Sequence, residues 1–170
     1  MTTLYLIRHG EVYNPQGIIY GRLPGFGLSE RGRRQIASAA ESLRVAPPTV
    51  LYASPMQRTQ ESAALLAQRW SLPVQTDERI VETSIGSFQG RRFEDLPKPY
   101  ITEEGAHPEL EGAASMRTRF MDWVEDVRSR HPDQVIAAVS HRVPAGAAHW
   151  RRAPTPPLRR RPRPSGPRSQ

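Results

Sequence analysis

At 170 residues, 37% of them hydrophobic, the chain is long enough to bury one core, and its lack of cysteine excludes disulfides, thiolate metal sites and thiol nucleophiles. The net charge of +7 points toward nucleic acid until it is located: all 17 acidic residues precede residue 142, while residues 142–170 hold eight arginines. Residues 1–141 are therefore close to neutral and form the expected domain. Residues 142–170 are a Pro/Arg-rich tail with no period and almost no large apolar residue, expected to be disordered. No apolar run approaches the roughly 20 residues of a membrane helix, and the first one starts too close to Met1 to follow a signal peptide. A soluble, cytoplasmic protein is expected.

In chain order, Leu4-Tyr5-Leu6-Ile7 is a short apolar run of the kind a buried parallel strand shows. It delivers Arg8 and His9 to the carboxyl edge of a sheet, where open α/β sheets bind ligands. Gly10 then permits a sharp turn. Val12 to Gly27 reads as a loop over the site, and Ser29 as the N-cap of a helix through Leu43 with Ile36, Ala39, Ala40 and Leu43 on its apolar stripe. Val50 to Ala53 is a second strand. Ser54, Pro55 and Gln57 fit the N-cap, first position and third position of a capping box, opening a helix to about Trp70 with Arg58 in its first turn. Such a turn offers free N–H groups and a positive dipole end to an anion.

Pro73 to Gln75 reads as a short edge strand, and Ile80 to Gly90 as a loop that holds Glu82 among apolar neighbours. Residues 91–112 are irregular. From Ala113 to about Arg130, Met116, Phe120, Trp123, Val124 and Val127 recur at helical spacing. Val135 to Val139 is a further strand, followed by Ser140-His141. The β-α-β-α order is that of a parallel sheet covered by helices.

If the three strands that end in these polar residues are neighbours, two histidines and two arginines converge on one sheet edge. That cluster fits phosphoryl transfer. A neutral imidazole can attack phosphorus, arginine forks can hold the equatorial oxygens, and a carboxyl among apolar groups can keep a proton for the leaving oxygen. Asp77 and Glu78 compete with Glu82 for the last role. His107 and His131, each followed by proline, read as loop residues, and no histidine-carboxylate spacing calls for a metal.

Five ordered motifs resemble the histidine phosphatase superfamily, also called the phosphoglycerate mutase-like family. They are Leu6-Ile7-Arg8-His9-Gly10-Glu11, Leu28-Ser29-Glu30-Arg31-Gly32, Ala53-Ser54-Pro55-Met56-Gln57-Arg58-Thr59, Glu82, and Val139-Ser140-His141. The resemblance covers roughly residues 3–141. It implies a three-layer α/β/α fold with a mostly parallel sheet, His9 as the phosphorylated nucleophile, and Glu82 as proton donor. His141, Arg8, Arg58 and Asn14 would complete the phosphate site, with a small phosphorylated substrate and no metal or organic cofactor. Asn14 stands one position earlier than in many members, and Arg142 replaces the glycine that normally follows the second histidine. The usual C-terminal helix and strands are not recognisable after it. Out-of-frame translation of a GC-rich gene would give this Arg, Pro and Ala composition, and reading the other two frames tests that.

A phosphatase is thus expected. The alternatives are a phosphoglycerate mutase, a catalytically impaired remnant, and a protein whose arginine tail grips nucleic acid in a salt-dependent way. Against the last, the tail has no interleaved aromatic residue beyond Trp150.

Overall fold

The computed structural model describes residues 1–96 and 107–142. The expected disorder of the tail and the expected loss of C-terminal elements concern residues outside these. Four strands, β1 (Thr3–Arg8), β2 (Val50–Ala53), β3 (Val74–Thr76) and β4 (Val135–Ser140), form one sheet in the order β1-β4-β2-β3. All three pairings are parallel. β4, last in sequence, therefore lies between β1 and β2 and is paired on both sides.

Side-chain alternation along the strands builds two cores. Ile7, Leu51, Ala53, Ala137 and Val139 pack with Ile36, Ala40, Ala63 and Leu66, which come from α1 (Glu30–Ser42) and α2 (Gln57–Trp70). On the opposite face Val50, Tyr52, Ile136 and Ala138 meet Phe120, Trp123, Val124 and Val127 of α3 (Ala113–Arg130). The architecture is three-layered α/β/α. The stripe read for α3 is its buried face, with Trp123, Phe120 and Val127 fully covered. Among the described residues, no helix is long and apolar enough to cross a membrane.

Ser29 caps α1 as expected, its hydroxyl accepting from the Gly32 N–H at 3.0 Å. Two other local readings are corrected. α2 starts at Gln57 with Met56 as N-cap and no side-chain cap; the Ser54 hydroxyl accepts from the Met56 N–H only at 3.5 Å, and its shorter contact, 2.9 Å, is with His141. Gly10 is needed less for a turn than for a crossing: a Cβ on it would collide with the Gly32 carbonyl, and one on Gly32 with the Glu11 carbonyl. The chain leaving β1 thus passes against the first turn of α1 at a distance that only two glycines allow.

Candidate active site

The sheet ladder runs on into the site. The His9 N–H donates to the Ser140 carbonyl at 3.1 Å and the Ser54 N–H to the Val139 carbonyl at 3.0 Å. The residues just past the ends of β1 and β2 are therefore fixed by the same hydrogen bonds to β4 that build the sheet. The edge brings together His9, Arg58, Glu82 and His141, while Arg8 stands exposed at the end of β1 and lines an open cleft beside His9. This cleft, about 520 Å³, is also walled by Glu11, Asn14, Tyr20 and Gln35. Arg58 and His141 lie deeper, each 1% exposed.

His9 and His141 have their ring centroids 5.3 Å apart. His9 Nδ1 is 2.8 Å from the Gly10 carbonyl oxygen, which can only accept, so Nδ1 carries the hydrogen and Nε2 keeps a lone pair. Burial lowers the pKa of this ring to about 4; the Gly10 hydrogen bond opposes the shift, and the charges of Arg58 and Arg8 add to it. The tautomer of His141 follows in the same way. Its Nδ1 lies 3.2 Å from Arg58 Nη2, which can only donate, so the hydrogen sits on Nε2 and is given to Ser54 Oγ at 2.9 Å. Burial, and after it the charge of Arg58, holds His141 neutral far below the usual histidine range.

Arg58 also donates from Nη2 to the Gly21 carbonyl at 2.9 Å, and its guanidinium lies over the Tyr20 ring, 4.8 Å from the centroid. Its Nε has no hydrogen-bond partner. Glu82 reaches both groups, with Oε2 3.7 Å from Arg58 Nη2 and 3.4 Å from His141 Nδ1. Its pKa is raised, because burial outweighs the Thr83 N–H and the nearby arginines. The two competing acids are elsewhere: Asp77 is paired with Arg79 at 2.7 Å, and Glu78 is exposed. Asn14 lines the cleft, but its amide is occupied in holding Ile18, with Nδ2 donating to the Ile18 carbonyl at 2.8 Å. His131 is more than a loop residue, since its Nε2 lies 3.0 Å from the Tyr52 hydroxyl under the sheet.

His9, Glu82 and His141 can present three metal-ligand atoms within 4.8 Å of one another. A guanidinium against the same His141 nitrogen disfavours a cation there, and with Arg8 nearby the arrangement suits an anion. Sequence reasoning missed several supporting residues. Ser62 accepts from the Gly10 N–H at 3.2 Å and donates to the Arg58 carbonyl at 2.7 Å, which ties the His9 segment to α2. Ser54, Tyr20 and Arg22 were others; Ser54 stood within the motif that carries Arg58, whereas Tyr20 and Arg22 lie in a loop without period and left no signal.

Known proteins resemble this chain in sequence and in fold. The family model of the histidine phosphatase superfamily (branch 1) matches residues 4–164, beyond the His141 at which the motifs end. An uncharacterized protein of Mycobacterium tuberculosis is 38% identical over 156 residues, covering 84% of this chain and 74% of that protein. Phosphoserine phosphatase 1 of Hydrogenobacter thermophilus is 35% identical over 159 residues, covering 88% and 75%. Among solved structures, mycobacterial glucosyl-3-phosphoglycerate phosphatase in complex with VO3 superposes with a TM-score of 0.75 at 29% identity, covering 85% of this chain and 78% of that one. With the family model spanning nearly all of the sequence and the fold shared, this chain belongs to the histidine phosphatase superfamily, branch 1.

Proposed function

We propose that the chain hydrolyses a small phosphomonoester through a phosphohistidine on His9. What supports this most is the His9 ring itself: neutral, with its hydrogen held on Nδ1 by Gly10, it keeps a lone pair on Nε2 beside a cleft lined by Arg8, with Arg58 buried nearby. Relatives named as phosphatases favour the same reaction.

In this reading Nε2 attacks phosphorus as the ester P–O bond breaks, and Glu82 gives its proton to the departing oxygen. The positive charge left on the imidazole is spread through the Nδ1–H bond to Gly10. Arg8 and Arg58 balance the charge on the equatorial oxygens, and His141 takes up a proton as the dianion arrives. Water then attacks phosphorus, ionised Glu82 accepts its proton, and the N–P bond breaks to release phosphate and neutral His9. Asn14 would add a phosphate contact by giving up its hold on Ile18.

Incubation with p-nitrophenyl phosphate and separately with 3-phosphoglycerate tests the reading. Sustained phosphate release is expected from the aryl ester, and any 3-phosphoglycerate turnover is expected to be hydrolysis. Isomerisation outpacing hydrolysis would make the protein a mutase instead.

A further inference from the structure

The segment carrying Glu82 belongs to no strand or long helix, so its backbone groups need partners from outside. Four successive carbonyls in it each accept from a side chain. Arg119 Nη1 donates to Arg79 and Val81 at 2.7 and 2.8 Å, Ser140 Oγ to Ile80 at 2.8 Å, and Arg22 Nε to Glu82 at 2.6 Å. Two of these three donors share one carboxylate. Glu111 accepts from Arg119 Nε at 2.6 Å and Nη2 at 3.0 Å, and from Arg22 Nη2 at 3.3 Å.

Glu111 also grips the segment directly, since Ser84 N–H donates to its carboxylate at 3.2 Å and its own N–H donates to the Ser84 carbonyl at 2.9 Å. Its side chain is only 10% exposed. We infer that Glu111, acting through Arg119 and Arg22, is a positioning residue that fixes the Glu82 carboxyl where a leaving oxygen must collect its proton. The inference rests on the proposed role of Glu82 as proton donor. It also explains why Arg22, on the loop over the cleft, is tied to the acid: the loop and the donor are held to one another through a single carboxylate.

Misplacing a proton donor lowers kcat/KM, which ends at phosphorylation of His9, only for substrates whose leaving group needs the proton; loss of the same carboxyl as base in the later water attack falls on kcat for every ester. Glu111→Gln keeps the side-chain shape but removes the charge that orders both guanidinium groups, and Arg119→Lys keeps the charge but removes the fork. The measurement is kcat/KM for an alkyl phosphate, p-nitrophenyl phosphate and 2,4-dinitrophenyl phosphate, with Glu82→Gln alongside. For each Glu111 and Arg119 variant a loss of about 10²-fold is expected on the alkyl ester, shrinking to less than about threefold on the dinitrophenyl ester, parallel to Glu82→Gln. An equal loss on all three esters, or none, with Glu82→Gln still leaving-group dependent, would overturn the positioning role while sparing the acid. No leaving-group dependence in Glu82→Gln itself would remove the acid assignment and this inference with it.

Discussion

Arg58→Met is expected to lower kcat/KM for a phosphomonoester by about 10³-fold while changing the stability of the unliganded protein by less than about 1 kcal/mol. The two halves have one cause. Arg58 is a charged group taken almost completely out of water, with its Nε unpartnered and its nearest carboxyl, Glu82, pushed toward the protonated form. Burial accordingly lowers its own pKa. Such a cation costs folding free energy that a bound dianion would offset, and methionine fills similar space without that cost. Against this stand the lost hydrogen bonds to Gly21 and His141, each worth about 1 kcal/mol. Arg58→Lys is expected to recover little activity, because an ammonium cannot donate along two fixed parallel directions. Steady-state kinetics and denaturant titration check both halves, and a stability loss above about 3 kcal/mol would show that Arg58 is held for structure.

The second large effect is on stability against acid. His9 has a folded-state pKa of about 4 against 6.5 when unfolded, and that of His141 is lowered in the same direction. For a depressed histidine the unfolded chain binds more protons, so this stability is present above 6.5 and lost as pH falls from there toward the folded value. Each contributes a slope of about 1.4 kcal/mol per pH unit, which for His9 alone amounts to on the order of 3 kcal/mol. Glu82, with a raised pKa, works the other way: its burial costs stability as pH rises through its folded value, which partly offsets the histidines in weak acid. Glu111 and Asp77, both lowered, lose their contribution only in stronger acid. Urea unfolding at several pH values between 7 and 4 is expected to show a steep loss in the native protein. His9→Asn, whose amide can still donate to the Gly10 carbonyl, is expected to flatten it. An unchanged slope would mean that His9 is not held neutral by burial.

What the sequence made legible were the groups that carry chemistry. His9, Arg58 and His141 each follow closely on an apolar run, and such runs are buried strands or lead into helices wherever they occur, so their convergence needed only the order of strands. Glu82 was singled out by its apolar neighbours in the sequence, and burial of its carboxyl is what raises its pKa. The supporting residues were hidden for a physical reason. Glu111 and Arg22 lie in irregular segments 89 positions apart, and no periodicity relates them. Ser54 has the right spacing for a helix cap, but its short hydrogen bond goes to the fully covered His141 at 2.9 Å and the Met56 N–H reaches it only at 3.5 Å, a preference set by tertiary packing. Gly10 read correctly as a place with no room for a Cβ, but what fills that room, the Gly32 carbonyl, is a tertiary fact.

In the proposed reaction the phosphoryl group passes through the ring of His9. Brief exposure of the protein to a reactive phosphodonor, rapid denaturation in base, and mass spectrometry of the peptide containing Arg8 to Glu11 tests it most directly. One acid-labile phosphate on His9 is expected, absent from folded His9→Asn; phosphate release from the native protein with no label on this residue at any time point would rule out the phosphohistidine.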